Sequence, residues 1–441
     1  MKPASAAEVR AALDAAAAAA PAALALAAHQ RATALRFVAD GLAADLESFA
    51  RELAVEAAKP ITQARRELDR AVFVFRDAAE EATRIDGEML AADASPMASG
   101  RLALTRRFPL APITAITPFN FPVLLAAHKI APAMACGATI VLKPPPQDPV
   151  TTVRLGELIK KSGYPAGGVN VVYCDVDTAQ LLIEDARVRM ITFTGSARAG
   201  WAIRAKAAHK RVTLELGGNA AVIVEPDADL DWAVERSVLG GYAYSGQSCI
   251  STQRVFVHQS VYAPFLERFV RRVRALVVGD VLDDRTDVGP LISLEAAERV
   301  DSWMKEAKAA GAEFATGGGR NGRVVEPAVL VKTTPEMKVN CEEVFGPVVT
   351  VSAYERLDDA IRLVNASPYG LQAGVFTTNL KTMFRLHAEL DVGAVNGNDM
   401  PAYRIDRLPY GGAKGSGLGR EGVRYAIEEM TESRLLTLRV E

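Results

Sequence analysis

Ile113-Thr-Ala-Ile-Thr-Pro-Phe-Asn-Phe-Pro122 reads as a short apolar strand whose end is stiffened by two prolines before a helix begins. The same alternation continues on its C-terminal side. The helix after Pro122 gives way to the apolar run 138–142, closed by Lys143 and three prolines at 144–146. Helices over 151–162, 177–184 and 197–208 then separate strands over 169–173, 190–193 and 212–214. Short apolar strands alternating with helices of about ten residues predict an α/β fold with a parallel, helix-covered sheet. Its crossovers should be right-handed. A second α/β series starts near Ala220 with a strand, a helix over 229–244, a strand over 254–258 and a helix over 261–276.

On the N-terminal side, residues 6–55 alternate Ala/Leu clusters with Arg10, Asp14, Arg31, Arg36, Asp40, Asp45 and Glu47. That spacing predicts two amphipathic helices, and residues 59–81 add another. The alanine-rich stretch 15–28 is superficially like the apolar core of a signal peptide, but Asp14, Pro21 and the weak hydrophobicity of alanine argue against one. No segment has the roughly 18 to 20 strongly apolar residues of a membrane span. Residues 91–110 pass from a small-residue stretch into an alternating, exposed strand or hairpin, and 432–441 alternate again as an edge strand. An unpaired terminal strand invites pairing with a second subunit.

The chain has 441 residues, 49% hydrophobic and 24% charged, enough for at least two domains. A formal net charge of −2 leaves no basic excess to neutralise a phosphate backbone, which argues against nucleic acid as a partner. The four cysteines form no Cys-x-x-Cys pair and no regular spacing. A reducing, cytoplasmic location therefore fits best, with neither a disulfide framework nor a zinc site.

An isolated cysteine is more often a small buried hydrophobe than a nucleophile. Cys249, however, closes Gly246-Gln-Ser-Cys249, a loop-like stretch between a helix and a strand, where reactive residues concentrate. Glu215 opens Glu215-Leu-Gly-Gly-Asn219. A thiol that attacks a carbonyl and a carboxylate that later activates water are the two parts covalent carbonyl chemistry needs. Asn120, between Pro118 and Pro122, presents its amide as a rigid donor. Phe193-Thr-Gly-Ser196 ends a strand and opens a helix, whose free N–H groups suit a phosphate. The Gly-x-Gly-x-x-Gly fingerprint is absent, and the glycine-rich run Tyr410–Gly419 reads as a turn or linker.

In order, Thr117-Pro-Phe-Asn-Phe-Pro122, Val141-Leu-Lys-Pro144, Phe193–Ser196, Glu215–Asn219, Gly246–Cys249, Glu342-Glu-Val-Phe-Gly-Pro-Val348, Asn396 and the run starting at Tyr410 resemble the aldehyde dehydrogenase superfamily over nearly the whole chain. The resemblance implies a Rossmann-like cofactor domain (1–90, 110–216 and 412–430), a catalytic domain (217–411) and an oligomerising hairpin and strand (91–109 and 431–441). A homodimer or homotetramer would follow. It implies Cys249 as nucleophile, Asn120 with the Cys249 N–H as oxyanion donors, and Glu215 as the base for thioester hydrolysis. For NAD or NADP it implies Lys143 at the adenosine ribose, Gly195 and Ser196 at the pyrophosphate, and Glu343 at the nicotinamide ribose. Thr117, Phe119, Leu216, Gly217 and Phe345 complete the expected cofactor wall.

Two departures from the family pattern matter. Pro146 stands where many members carry a glutamate that binds the ribose diol and repels a 2′-phosphate, so NADP should be tolerated beside NAD. The chain also begins later than many members, which implies a shortened N-terminal extension. The stretches 107–110, 128–132 and 245–251 look like the branch that oxidises short polar aldehydes, including lactaldehyde and phosphonoacetaldehyde. Phosphonate-binding members often carry arginine just before the nucleophile, where this chain has Ser248. Arg107, His128, Arg404 and Arg407 are candidates to clamp an anionic tail instead. Glu215 favours a free acid product over a coenzyme A thioester. A non-redox cysteine esterase and a catalytically silent binding protein are the rival readings.

Overall fold

The computed structural model describes residues 1–207 and 209–440, and three larger sheets organise them, beside two two-stranded ones. Ala208 and Glu441, the last residues of the expected helix 197–208 and strand 432–441, lie outside the described residues. In the first sheet the order is Gly417–Leu418, Arg211–Glu215, Met190–Thr194, Ile113–Ile116, Ile140–Lys143, Val169–Val171. All neighbours are parallel except the first pair. The chain steps outward from Ile113–Ile116 to Ile140–Lys143 and Val169–Val171. It then returns to lay Met190–Thr194 on the opposite side. This reversal leaves a crevice at the C-terminal ends of Ile113–Ile116 and Met190–Thr194, the place where open parallel sheets bind ligands.

Helix Pro122–Cys136 follows the first strand because Pro122 suits a first helical turn and Gly137, at φ 79°, ends it in the left-handed region. Every residue of this helix is buried, and it packs against helices Ala28–Ala44 and Ile61–Glu81 in one apolar core. Where two helices were expected over 6–55, three form: Ala6–Ala25, Ala28–Ala44 and Leu46–Glu56. The first break is at Leu26 and Ala27, whose backbone is extended. Alanine favours helix on both sides, so local preference does not mark this corner.

The second sheet has the order Glu313–Thr316, Ala328–Val331, Val348–Tyr354, Thr252–His258, Ala220–Val224, Gln372–Phe376, Ala394–Gly397, parallel except at its first edge. Five of its strands and helices Leu294–Ala309, Leu357–Asn365 and Leu380–Glu389 lie beyond the two strands the sequence pattern assigned. The third sheet is antiparallel, with Met89–Leu90 beside Arg101–Pro109, and the latter paired from Arg101 with Arg439 to Pro109 with Thr431.

The glycine run holds a tight turn, at residues 415–416, between two short strands, and is not a linker. Ala413–Lys414 pairs with Tyr369–Gly370, and Gly417–Leu418 pairs with Arg211–Glu215. A Cβ on Gly417 would lie 2.4 Å from the Leu214 carbonyl oxygen, so only glycine lets this strand close on the sheet. No single helix among the described residues is long and apolar enough to cross a membrane.

Candidate active site

A cavity of about 570 Å³ is lined by the C-terminal ends of Ile113–Ile116 and Met190–Thr194 and by the segments that precede the second sheet's strands. Cys249, Glu215 and Asn120 all reach it.

The Cys249 loop is held in an unusual backbone. Tyr244, Ser245 and Gly246 have successive φ values of 49°, 56° and 71°. Two non-glycine residues in the left-handed region cost roughly 1 to 2 kcal/mol each, which the surrounding contacts must offset. The Tyr244 hydroxyl donates to Ala57 O at 2.8 Å, and Ser245 Oγ both donates to Gly289 O and accepts from Gly289 N. A Cβ on Gly246 would lie 2.1 Å from the Gly346 carbonyl oxygen. At the end of this loop the half-buried Cys249 thiol lies 3.2 Å from the Tyr410 hydroxyl. Burial pushes the thiol up to about 12, assisted by Glu343 and Glu215 and opposed by Tyr410.

Asn120 is buried, and its amide nitrogen donates to Gln247 O at 3.1 Å. One N–H of that amide is left for a ligand, and the amide oxygen has no partner among the described residues. Glu215 ends the strand Arg211–Glu215 and is 3% exposed, with neither carboxylate oxygen partnered among the described residues. Burial raises its carboxyl well above the ordinary range, and Glu421 adds to the rise. Arg404, Lys129 and Arg420 oppose it.

An ionic network runs along this wall and behind it. Glu421 accepts from Lys129 at 3.0 Å and from Arg404 at 3.2 Å, and these cations overcome its burial and hold its carboxyl low. The Arg404 guanidinium sits 3.7 Å from the centre of the Tyr410 ring. Asp406 takes two hydrogen bonds from Arg70, at 2.9 and 2.7 Å, and lies 3.0 Å from His128 Nε2.

The crevice also fits a dinucleotide. Thr117 and Thr194 line it with buried hydroxyls that have no partner among the described residues. Ser196 caps helix Ala197–Lys206 at the same edge. Gly195 and Gly217 make room: a Cβ would lie 2.6 Å from the Phe193 ring or 2.5 Å from the Glu343 carboxylate. Glu343 accepts from Gly218 N at 2.9 Å, and burial pushes its carboxyl up to about 7. Phe119 and Phe345 meet edge to face with centroids 5.8 Å apart, and Leu216 and Pro146 also reach the cavity.

Lys143 is buried at the end of its strand, two residues before Pro145 at the cavity edge, and its ammonium donates to Pro144 O. Three expected substrate contacts fall elsewhere. Arg107 is on the antiparallel sheet, where it donates to Thr431 Oγ1 and Glu428 O. Its alternation correctly signals a strand, but the strand pairs with the C-terminal one and carries Arg107 away from Cys249. His128 lies behind the wall, and burial and Arg404 lower its pKa, so it supplies no free cation. Arg407 pairs with Asp77 and Glu81 outside the lining. Arg404 alone of these anion candidates reaches the cavity. The sequence reading missed Tyr410, Glu421, Arg66 and Arg70, all of which line it. Tyr410 opens a glycine-rich run whose composition is that of a turn or linker, which masks it. Arg66 and Arg70 are four residues apart on one face of helix Ile61–Glu81, a spacing that could have flagged them.

A parallel sheet with a switch-point crevice, joined to a second sheet that carries a thiol at the same cavity, defines a nucleotide-linked enzyme that works on a carbonyl. Residues 1–436 match the aldehyde dehydrogenase family, and the chain belongs to it. It is 43% identical over 411 residues to a 3-sulfolactaldehyde dehydrogenase of Priestia aryabhattai, covering 93% of this chain and 86% of that protein. It superposes on aldehyde dehydrogenase 21 from Physcomitrella patens, solved with the reaction product succinate, with a TM-score of 0.98 and 40% identity, covering 99% and 92% of the two chains. A glyceraldehyde-3-phosphate dehydrogenase from Methanocaldococcus jannaschii complexed with NADP gives 0.95 and 36%, covering 100% and 96%. The protein is thus an NAD(P)-dependent aldehyde dehydrogenase, and the esterase and silent-protein readings are set aside.

Proposed function

We propose that the enzyme oxidises a short, anionic aldehyde to its carboxylic acid through Cys249. The observation that carries this reading is the convergence of Cys249, Glu215 and Asn120 on one cavity that opens onto the cofactor crevice. The thiol passes its proton to solvent, and its sulfur bonds to the aldehyde carbon as the carbonyl π pair moves onto oxygen. The oxyanion that forms is held by the Asn120 amide and the Cys249 backbone N–H, each typically worth about 3 kcal/mol. When the oxyanion collapses, the aldehydic hydrogen leaves with its electron pair, and bound NAD(P)+ supplies the hydride acceptor. The acyl group remains on sulfur as a thioester. Glu215 then takes a proton from water, whose oxygen displaces the sulfur and releases the acid. Thr117, Thr194, Gly195, Ser196, Gly217, Glu343 and Phe345 would hold the cofactor.

The anionic tail is assigned to Arg66. It is exposed at the cavity and has no hydrogen bond or ion pair among the described residues, whereas Arg70 and Arg404 are engaged by Asp406 and Glu421. The sulfonated and dicarboxylic ligands named for the relatives agree with a cation at this position. A panel of sulfonated, carboxylated, hydroxylated and neutral short aldehydes tests it. Anionic aldehydes should show the highest kcat/KM, and Arg66→Gln should raise KM about tenfold or more for them alone. Equal kcat/KM for neutral and anionic aldehydes would overturn the assignment.

The antiparallel sheet (91–109 and 431–441) serves as the oligomerising unit between the cofactor domain (1–90, 110–216 and 412–430) and its copies, with 217–411 as the catalytic domain. Leu436 and Leu438 are exposed on one face of its outer strand and Leu435 on the other, apolar surface that a homodimer or homotetramer would cover. Light scattering on the purified protein tests this, and a monomer would contradict it. The four free cysteines support a reducing, cytoplasmic location.

A further inference from the structure

Behind Asn120, the Lys59 side chain is completely buried. Its ammonium donates to the Asn120 backbone carbonyl at 2.6 Å and to the Glu67 carboxylate. It also lies 4.1 Å from the centre of the Phe121 ring and 4.3 Å from that of Tyr244. Those two rings meet edge to face with centroids 6.1 Å apart. The second Glu67 oxygen accepts from Val123 N at 3.0 Å and Leu124 N at 3.1 Å, the first turn of helix Pro122–Cys136.

Taking two charges out of water costs several kcal/mol per ion, and an apolar pair in such a place is often as stable or more so. Stability alone is therefore a poor account of this pair. What distinguishes it is where its contacts go. On one side they bind the Asn120–Leu124 segment, through its carbonyl, its aromatic ring and its helix N-terminus. On the other they meet Tyr244, the first of the three left-handed residues leading to Cys249. The two segments are also joined directly by the Asn120 amide and Gln247 O.

We propose that Lys59 and Glu67 are positioning residues that hold the Asn120 carboxamide and the Cys249 loop at the spacing the oxyanion requires. The inference rests on the reading of Asn120 as oxyanion donor. Neither Lys59 nor the Glu67 oxygens need touch substrate for this role.

The test is a double-mutant cycle on the full-length enzyme with bound cofactor. The paired substitution Lys59→Met with Glu67→Gln avoids stranding one buried charge. Expected is a kcat lower by about tenfold to a hundredfold, with KM, cofactor affinity and the rate of Cys249 alkylation within about twofold of the parent. In the Asn120→Ala background the same pair should cost less than about twofold, because the group it positions is gone. Losses that multiply in that background, an unchanged kcat, or a change confined to KM would overturn the proposal. A parent-like rate for Asn120→Ala would instead overturn the oxyanion reading, and the inference with it. Glu67→Asp alone, which keeps both charges of the buried pair but shortens the carboxylate's reach, provides the second variant where the pair does not fold. It should show the same pattern at smaller size, and full additivity with Asn120→Ala would again be fatal.

Discussion

The phenolic oxygen of Tyr410 lies 3.2 Å from the sulfur of Cys249, and the same ring carries the Arg404 guanidinium 3.7 Å from its centre. Burial raises the thiol, whereas the Tyr410 hydrogen bond works the other way. A cation over the ring draws electron density from the phenol and makes its O–H a better donor to a developing thiolate.

Tyr410→Phe should therefore move the Cys249 thiol further from ionisation. A hydrogen bond to a charged group contributes about 1.5 to 3 kcal/mol, equivalent to about one to two pKa units. The pH profile of iodoacetamide alkylation is the measurement. A profile superimposable on the parent's would show that the bond does not support the thiolate.

Cys249→Ala should abolish aldehyde oxidation, by on the order of 10⁴-fold or more, while cofactor binding stays intact. Cofactor titration by fluorescence, beside a turnover assay, separates the two. Retained turnover would remove the nucleophile assignment.

Glu215→Gln should trap the acyl-enzyme. A burst of reduced cofactor is expected, followed by a steady state slower by about 10² to 10⁴. Stability should respond to pH as well. Burial raises the Glu215 carboxyl above its unfolded value, so the native chain keeps an extra proton. Stability is then complete below the ordinary carboxylate range and is lost as pH rises through the raised value. The neutral glutamine removes that loss, so the Tm of the variant should exceed the parent's by more at pH 9 than at pH 4. Thermal scans across that range check the sign.

Pro146 lines the exposed end of the cofactor crevice, with no carboxylate at that position to repel a 2′-phosphate. Both NAD and NADP should support turnover, and a preference for NAD above about a thousandfold, or about 4 kcal/mol, would refute this. Pro146→Glu should raise the KM for NADP about tenfold or more and leave that for NAD little changed.

Much of the first sheet was legible because its strands are buried on both faces and its helices are short and regular. Ile113–Ile116, Met190–Thr194 and Pro122–Cys136 each announce themselves through a local apolar run beside proline or glycine. Helix 177–184 shrinks to Gln180–Glu184, and strands Ala328–Val331, Val348–Tyr354 and Gln372–Phe376 escaped notice. Their apolar runs resemble buried helix segments until neighbouring strands settle the period. The motif residues around Asn120, Glu215 and Cys249 stood out because each occupies a short stretch with a distinctive backbone requirement. Arg107 did not reach the cavity because residue type alone says nothing of which strand will pair with its own.

By itself, the order of residues determined the alternation of strand and helix in the first sheet and marked Cys249, Glu215 and Asn120 as the candidate thiol, carboxylate and amide donor. These are decided within a few residues by φ, side-chain volume and periodicity. Only the tertiary structure decided that Arg66 faces the cavity, that Arg404 rests on Tyr410 and that Lys59 lies beneath Asn120. Lys59 and Asn120 are 61 positions apart and Arg404 and Tyr410 only six, but local spacing fixes neither contact: burial of apolar faces sets the helices and loops that carry these residues against one another.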